Sequence, residues 1–571
     1  MLRISQIKLN MGEPVSLLPK KIGQKLRIKN FSPDSWSIVK ESVDAREKPH
    51  IRFIYTVDFS VKGEERILEK ASKMKGVSLT KSPDTAYALP KYEPKDRENL
   101  SGAPRPAVVG FGPCGMFAAL ILAEAGMRPI VLERGRDADR RTEDVERFWK
   151  TGELDVVSNV QFGEGGAGTF SDGKLTTGIK DVRISKVKEE LIEAGADPRI
   201  AYRQMPHVGT DVLRTVVKNI RKKIIRLGGE VRFESQVTGI RFSEDEGSCQ
   251  DGCGQNGAEE ASDRKIEALV INGNEILPCR EAVFSPGNSA RDTFRMLHES
   301  GVRLEAKPFS VGVRIEHPQL MIDADQYGFE HNDEEGRLGA ASYKLSYKSS
   351  NGRGVYTFCM CPGGYVVGAT SCEKSVVTNG MSYHDRSGKN ANSALLVDVH
   401  PEDYPGVETD PLAGIYFQEE IERKAYEAGG GGYFAPVQFV GDFLKGESGS
   451  AGSSREAGPN AAVEPTYLPG VRQADLSECL PDYVIESMRE ALPKMGEKIA
   501  GFDMDDAVMT GVETRSSSPV RIPRTKSLES VSSQGLYPGG EGAGYAGGIM
   551  SAAVDGIKIA EKIIEKRMNI K

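Results

Sequence analysis

The sequence predicts an α/β protein in which helices flank a mostly parallel sheet, and three observations support this fold class. Residues 107–115 read AVVGFGPCG, which is typical of a buried strand, a glycine turn and the start of a helix. Residues 535–549 hold a second glycine-rich segment, again followed by a helical pattern. Residues 1–80 alternate strand-like and helix-like patterns in the order βαββαβ. A chain of 571 residues is too long for one core, so we expect several domains.

The first predicted domain, residues 1–95, is a small α+β module of the ferredoxin-like type. Its strands and helices are predicted in turn at 2–8, 16–28, 36–46, 51–61, 64–75 and 77–80. Residues 1–100 carry 20 Lys+Arg against 13 Asp+Glu, whereas the remainder carries 55 against 69. A basic module of this kind either contacts nucleic acid or complements the acidic body of its own chain. We expect the second, and we do not expect nucleic acid as a partner.

The second predicted domain, residues 104–304, begins with a dinucleotide fingerprint. Gly110 allows the tight turn, Gly112 lets the backbone approach a pyrophosphate, and Gly115 lets the helix pack closely on the sheet. Glu133 ends the next apolar strand, about 20 residues on, where a carboxylate accepts ribose hydroxyls. Strand, turn, helix, strand and acid in this order predict a dinucleotide site much more specifically than a glycine motif alone.

The rest of this domain departs from a plain dinucleotide fold. Residues 160–178 form a glycine- and hydroxyl-rich loop without apolar periodicity, and a third strand is predicted at 230–233. Residues 243–264 are acidic and glycine-rich, which predicts a disordered insertion between two strands. Cys249 and Cys253 lie in it without a second Cys or His pair at ligand spacing nearby, so we expect no metal.

Two further segments complete the predicted domain organisation. Residues 305–500 have an irregular pattern with strand-like pieces, and we expect a substrate domain inserted between two cofactor-binding segments. The Ser/Gly stretch at 446–458 is predicted to be a mobile loop within it. Residues 501–571 are predicted to be the C-terminal part of the cofactor-binding domain.

The separation of the two glycine-rich segments favours FAD over NAD. They lie more than 400 residues apart, and a cofactor as long as FAD needs closure by the last strand and helix. The N-terminus of that helix can stabilise negative charge near N1 and O2 of a reduced flavin. No second GxGxxG is followed by a strand that ends in an acid at ribose spacing, so NAD(P)H, if it is the electron donor, is expected to dock only transiently. A Cys-x-x-x-x-Cys near the first fold is also absent, which disfavours a dithiol reductase.

Four further segments carry a resemblance to a known family. They are FGEGGAGTFSDGKL (162–175), PGNSARDT (286–293), CMCPGGY (359–365) with NGMS (379–382), and GVETRSSSPVR (511–521). With these segments the chain resembles the FAD-dependent oxidoreductases of the two-dinucleotide-binding-domain superfamily, in the branch folded like glutathione reductase. More narrowly, it is similar to a bacterial family of predicted FAD-dependent dehydrogenases or oxidoreductases. The family usually has His where this chain has Asn288.

The resemblance spans nearly the whole chain and implies a Rossmann-like FAD-binding domain with an inserted α+β substrate domain. It implies that the fingerprint glycines meet the pyrophosphate, the turn around Val237 contacts adenine, and Glu541 lies by the ribityl–pyrophosphate region. The cofactor-binding residues implied in this way are Gly110, Gly112, Pro113, Cys114, Gly115, Glu133, Arg134, Gly165, Gly166, Ser171, Gly173, Lys174, Val237, Gly287, Gly540, Glu541, Gly547, Gly548 and Ile549.

The sequence assigns no catalytic residue, but it offers three candidates. Lys174, in the glycine-rich loop with Asp172, either neutralises a phosphate, an anionic substrate or reduced flavin, or makes a structural salt bridge. Arg515 either clamps a substrate carboxylate or anchors loop carbonyls inside the protein. Both alternatives stay open for each residue at this point.

Three other side chains suit catalysis but are expected to be structural. Cys359 and Cys361 flank a single residue in a predicted strand, so both would lie on one face, buried as small hydrophobes rather than forming a redox pair. His207 is expected to be a hydrogen-bonded structural histidine rather than a general base.

The composition limits the functional class. A mean hydropathy of −0.39, 39% apolar residues and no signal-like first 25 residues predict a cytoplasmic protein without a membrane partner. Eight scattered cysteines predict reduced thiols. The primary hypothesis is an FAD-dependent oxidoreductase, a dehydrogenase or reductase that transfers hydride between bound flavin and a small-molecule substrate. The alternatives are a flavin monooxygenase, a nucleic-acid-associated flavoprotein and a redox sensor.

Overall fold

Three sheets, of four, five and seven strands, organise the chain. A computed structural model describes residues 1–48, 50–90, 104–243, 264–328, 336–447 and 463–568. The predicted insertion at 243–264, with Cys249 and Cys253, lies almost entirely outside the described residues, as does most of the Ser/Gly stretch at 446–458.

The N-terminal module has the predicted element order. Its sheet runs β2–β3–β1–β4 with antiparallel β1–β3, β2–β3 and β1–β4 pairs, which is the ferredoxin-like arrangement and confirms that prediction. Strand β3 alternates between buried and half-buried side chains because one face of the sheet packs on α1. The elements are β1 (Leu2–Asn10), α1 (Leu18–Leu26), β2 (Ser35–Asp44), β3 (Arg52–Ser60), α2 (Glu64–Ser72) and β4 (Leu79–Lys81).

The segment after the module contains a βαβ unit followed by helices and a small meander. The meander is a three-stranded sheet in the order β10–β9–β8. The elements are β5 (Ala107–Val109), α3 (Pro113–Glu124), β6 (Ile130–Leu132), α4 (Ala138–Thr151), α5 (Arg183–Glu193), α6 (Thr210–Arg226), β7 (Glu230–Arg232), β8 (Val237–Phe242), β9 (Ile266–Ile271), β10 (Glu275–Pro278), β11 (Ala282–Phe284), α7 (Arg291–Glu299) and β12 (Glu305–Ala306).

The inserted domain is built on the seven-stranded sheet, in the order β14–β15–β18–β13–β21–β19–β20. Its pairs are antiparallel except for β19–β20. The elements are β13 (Phe309–Pro318), α8 (Gln319–Tyr327), β14 (Ser346–Lys348), β15 (Gly354–Cys361), β16 (Tyr365–Gly368), β17 (Thr378–Met381), β18 (Asn390–Val399), α9 (Ala413–Ala428), β19 (Ala435–Phe439), α10 (Val440–Lys445), β20 (Val471–Gln473), α11 (Asp482–Gly496), β21 (Val508–Glu513) and β22 (Val520–Arg521).

The predicted end of the substrate domain at residue 500 is too early. Strand β21 lies between β13 and β19 in the seven-stranded sheet, so the inserted domain continues at least to Glu513. The pairing of β22 with β12 then closes the connection back to the first domain. The sequence could not show this, because β21 reads as a generic apolar strand that either sheet could accept.

The last two elements, β23 (Leu536–Pro538) and α12 (Ile549–Arg567), complete the cofactor-binding domain. The parallel sheet runs β23–β11–β5–β6–β7, which confirms the Rossmann-like α/β fold class. Helix α3 is buried along most of its length because it lies under α12. The approach is so close that a Cβ at Gly556 would lie 2.0 Å from the Cys114 carbonyl oxygen. Among the described residues, no helix is both long and apolar enough to cross a membrane.

Candidate functional site

One large cavity, of about 950 Å³, opens at the carboxyl ends of the parallel strands. Its wall includes the residues that directly follow β5, β6, β11 and β23, which is where ligands bind in open α/β sheets. The volume lies at the upper end of the roughly 300–1,000 Å³ range of small-molecule and cofactor sites.

Most of the predicted cofactor residues meet in this one cavity. Gly115 and Gly165 do not line it. A Cβ at Gly115 would lie 2.0 Å from the Gly110 carbonyl oxygen, and one at Gly165 would lie 2.1 Å from Thr169 Oγ1, so these glycines permit packing behind the wall. The predicted residues that do line the cavity are Gly110, Gly112, Pro113, Cys114, Glu133, Arg134, Gly166, Ser171, Gly173, Lys174, Val237, Gly287, Gly540, Glu541, Gly547, Gly548 and Ile549.

The fingerprint turn has the shape that a pyrophosphate requires. Gly110 has φ +89°, and a Cβ there would lie 2.3 Å from the Ser285 carbonyl oxygen, so only glycine fits. Gly112 is the N-cap of α3 and no side chain caps it, while Pro113 at the first helical position has no N–H to satisfy. The positive end of α3 therefore faces the cavity without an acidic residue in its first turn.

Glu133 is buried, with 5% of its surface exposed, and it fastens the fingerprint to the glycine-rich loop. Its carboxylate accepts backbone N–H bonds from Phe111 (2.8 Å), Gly135 (3.0 Å) and Gly163 (2.9 Å). A carboxylate has about four acceptor sites, so one remains for a ribose hydroxyl. The Glu133 carboxylate also holds the fingerprint turn and the glycine-rich loop in fixed positions relative to each other.

Two segments far apart in sequence leave open space where the flavin end of the cofactor is expected. A Cβ at Gly287, Gly547 or Gly548 would meet no atom within 4 Å. Gly548 is the N-cap of α12, and no side chain caps it. A Cβ at Gly166 would lie 3.0 Å from the Gly112 Cα, so the glycine-rich loop lies directly against the fingerprint. These glycine-lined surfaces fit FAD. They offer exposed backbone, open space and a helix N-terminus to both ends of the cofactor.

Glu541 is the titratable group that stands out on this wall. Burial raises its pKa to about 7, only partly offset by Lys307. Asn288 donates one Nδ2 hydrogen bond to Glu541 Oε1 (2.8 Å) and another to the Arg515 carbonyl (2.9 Å). Asn288 therefore joins the C-terminal segment to the end of the inserted domain.

All three catalytic candidates, Asp172, Lys174 and Arg515, lie on the cavity wall, and each has partners of its own. Asp172 accepts two hydrogen bonds from Arg386, at 3.0 and 2.6 Å. Burial opposes its ionisation, but Arg386 and Lys174 outweigh that effect and keep the pKa of Asp172 below its usual value. The Lys174 ammonium donates to the Met360 carbonyl oxygen, which places a positive charge beside the inserted domain.

Arg515 does not have the free guanidinium that a substrate clamp needs. It is 4% exposed and forms a forked pair with Glu422, with Nε–Oε1 at 3.0 Å and Nη2–Oε2 at 2.8 Å. Arg291, on α7, binds the same carboxylate at 2.7 and 2.9 Å. Because Glu422 already holds this guanidinium in a buried Arg–Glu–Arg triad, the geometry favours the internal alternative, and a role for Arg515 as a substrate clamp stays a prediction. The triad joins the cofactor-binding and inserted domains.

Contrary to the prediction, Cys359 and Cys361 do not lie on the same face of the strand. A register shift between Phe358 and Cys361 interrupts β15, and Cys359 has φ +41°. Cys359 is exposed on the cavity wall, whereas Cys361 is buried and donates to the Cys359 carbonyl at 3.2 Å. Burial raises the pKa of the Cys361 thiol, so it stays protonated.

His207 is held by hydrogen bonding, as expected for a structural histidine. Its Nε2 donates to the His384 carbonyl (3.0 Å), and its ring stacks on His384 with centroids 5.5 Å apart. Burial lowers the pKa of His207 to about 4, so the ring is neutral at pH 7.

A second group of wall residues has no local signal in the sequence. Arg386 lies 214 positions from Asp172, and no local pattern links them. Residues 41–43 and 45, on and just after β2 of the N-terminal module, and residues 336–344 also line the cavity. Segments that meet only through tertiary packing leave no periodic signal in the sequence.

Comparisons with known proteins give two family models and a relative that covers nearly the whole chain. Residues 308–516 match the family described as "FAD-dependent protein, C-terminal domain-like", and residues 1–60 match a domain of unknown function. An uncharacterized protein of Clostridium beijerinckii is 48% identical over 566 residues, which is 99% of both chains.

The comparison with solved structures matched flavoproteins at low similarity. Glycine oxidase of Bacillus cereus is 10% identical, with 81% of this chain and 98% of that chain covered and a TM-score of 0.31. Glycerol-3-phosphate dehydrogenase of Bacillus halodurans, complexed with FAD, is 11% identical, with 83% and 66% covered and a TM-score of 0.32.

Proposed function

This chain belongs to the family of its Clostridium beijerinckii relative, a family of FAD-dependent proteins, and from that premise we propose that it is an FAD-dependent oxidoreductase. The proposed reaction is hydride transfer between the flavin and a small molecule, as in a dehydrogenase or reductase. The observation that carries the proposal is that one cavity joins the cofactor-binding glycines to polar and charged side chains of the inserted domain.

The flavin, when bound, supplies the redox chemistry itself. The protein is left to bind, orient and tune charge. The bare N-terminus of α3 and the open backbone of Gly112 suit the pyrophosphate, and the remaining acceptor site of Glu133 suits a ribose hydroxyl. The uncapped N-terminus of α12 favours negative charge at the flavin end.

Lys174 is the side chain we propose to favour reduction. Its ammonium lies on the wall between the glycine-rich loop and the Met360 carbonyl, with Asp172 nearby but neutralised by Arg386. A fixed positive charge of this kind stabilises anionic species formed during hydride transfer. We propose that the electron donor, NAD(P)H or another reductant, docks transiently, since the sequence lacks a second dinucleotide fingerprint that would hold a nicotinamide cofactor.

The test uses purified protein under anaerobic conditions. We expect the protein to be yellow, to release FAD on denaturation, and to lose its visible flavin absorbance on mixing with NADH, NADPH or a substrate from a metabolite screen. Lys174→Met should retain FAD but slow this bleaching by at least about tenfold. The matched control is Lys180→Met, an exposed lysine in the same segment that does not line the cavity.

Two results would contradict the proposal. Protein that carries no FAD would remove its premise. Substrate-stimulated oxygen uptake with a hydroxylated product would replace the dehydrogenase assignment with a monooxygenase.

A further inference from the structure

We propose that the N-terminal module forms one wall of the substrate chamber, and that this chamber takes a mostly apolar small molecule with an anionic end. The inference rests on the proposed function and deepens it. Its starting point is that Glu41, Ser42, Val43 and Ala45 line the same cavity as the fingerprint glycines. The module is therefore part of the site rather than an appended domain.

The module is fixed to the cavity by backbone pairing on one side. The Glu41 N–H donates to the Tyr202 carbonyl and the Gln204 N–H donates to the Glu41 carbonyl, both at 2.8 Å. Arg203 adds an ion pair with Glu41 at 3.4 Å. These bonds continue the free edge of β2 onto the cofactor-binding domain, which gives the wall a defined position.

Arg337, in the inserted domain, provides a second attachment for the N-terminal module. Its guanidinium donates to the Tyr55 hydroxyl (2.8 Å) and the Glu13 carbonyl (2.9 Å). It also lies 4.1 Å from the centroid of the Phe53 ring. The N-terminal module is thus held by both of the other domains.

The chamber exposes apolar side chains of the kind that proteins usually bury. Val43 is 42% exposed and Met205 is 58% exposed, and both line the cavity. Methionine adapts its shape to a variable partner, and large apolar side chains on a concave wall mark a ligand surface. These two residues therefore suit the apolar body of a substrate.

The anionic end is inferred from charge pairing along the same wall. Arg199 is paired with Asp197, Arg203 with Glu41, and Arg386 with Asp172, so those cations are neutralised. Lys344 is exposed on the wall, and within the described residues no carboxylate or other polar partner contacts it. A ligand carboxylate, sulfonate or phosphate would supply the missing charge.

The test for the wall titrates FAD-loaded protein with 1-anilinonaphthalene-8-sulfonate, an apolar anion, and follows its fluorescence. Val43→Trp fills the chamber from an exposed position, so we expect the dissociation constant to rise by about tenfold or more. Ser37→Trp is the matched control, since Ser37 is exposed on the same strand and does not line the cavity. The dissociation constant of the Ser37→Trp protein for the probe should stay within about twofold of the wild-type value.

The test for the anionic end compares this probe with neutral N-phenyl-1-naphthylamine. Lys344→Glu should weaken binding of the anion by about fivefold and leave the neutral probe within about twofold. The inference is overturned if the loaded protein does not bind the anion, if Val43→Trp binds it as tightly as wild type, or if Lys344→Glu affects both probes equally. FAD loading and anaerobic bleaching are measured on the same samples, so these failures are distinguishable from failure of the proposed function.

Discussion

The buried triad of Arg291, Glu422 and Arg515 should make an unusually large contribution to stability. Glu422 is fully buried, and burial alone would raise its pKa, but the two arginines outweigh this and lower it from 4.5 to about 2. This difference corresponds to about 3 kcal/mol of stabilisation of the folded state at pH 7. Glu422→Gln should therefore lower the free energy of unfolding by about 3 kcal/mol, within the range for breaking a buried ion pair.

The stabilisation that Glu422 provides should depend on pH in a defined direction. A carboxyl group with a depressed folded pKa stabilises the protein above its unfolded pKa, and that contribution is lost as the pH falls through the folded pKa. The gap between wild type and Glu422→Gln should be full at pH 7, fall to about half near pH 3, and vanish below about pH 2. Urea unfolding, followed by tryptophan fluorescence across this pH range, measures the gap.

Glu420→Gln is the control, because Glu420 lies on the same helix, is 49% exposed and pairs with Arg423 at the surface. It should cost less than about 1 kcal/mol. If Glu422→Gln is as stable as wild type at pH 7, or if its deficit does not change between pH 7 and pH 3, the reasoning about the triad is wrong.

Three further predictions concern the cofactor site. Gly112→Ala should fold normally but retain less FAD, because its Cβ would meet only the Gly166 Cα at 3.8 Å while adding bulk to the cavity wall. Gly115→Ala should instead lose stability, because its Cβ would clash with the Gly110 carbonyl. FAD content measured beside the melting temperature separates the two effects. Glu133→Ala should lower FAD retention by at least about tenfold, since three buried N–H groups lose their acceptor; unchanged FAD occupancy would count against the role given to this carboxylate. The stability of FAD-free protein should fall as the pH rises from about 5 to 7 through the raised pKa of Glu541, and Glu541→Gln should remove that part of the pH profile.

Much of the fold was predictable because its signals are local. The turn at Gly110 and Gly112 lies between a buried strand and a helix, and the order of these elements is enough to predict a parallel sheet. The same holds for the βαββαβ order of the N-terminal module. Glycines that must approach a cofactor closely also recur at fixed offsets from strands, which is why most of the implied site residues lie on one cavity wall.

The parts that escaped prediction depend on contacts between distant segments. Arg515 lies 93 positions from Glu422, and nothing near Arg515 in the sequence indicates that a buried carboxylate already holds its guanidinium. The register shift that exposes Cys359 depends on how β15 pairs with β18, so an alternating pattern misplaces it. The predicted domain boundary at residue 500 was wrong for the same reason, since the sequence of β21 is compatible with either sheet.

The pairing of β2 with residues 202–204 also has a consequence for solubility. Strand β2 is an outer strand of its sheet, and an uncovered strand of this kind offers its N–H and C=O groups to another chain. The contact at Glu41 covers part of that edge with the protein's own backbone. Variants that loosen the N-terminal module should therefore aggregate as well as lose ligand binding, so self-association would report the detachment of this wall even before a substrate is known.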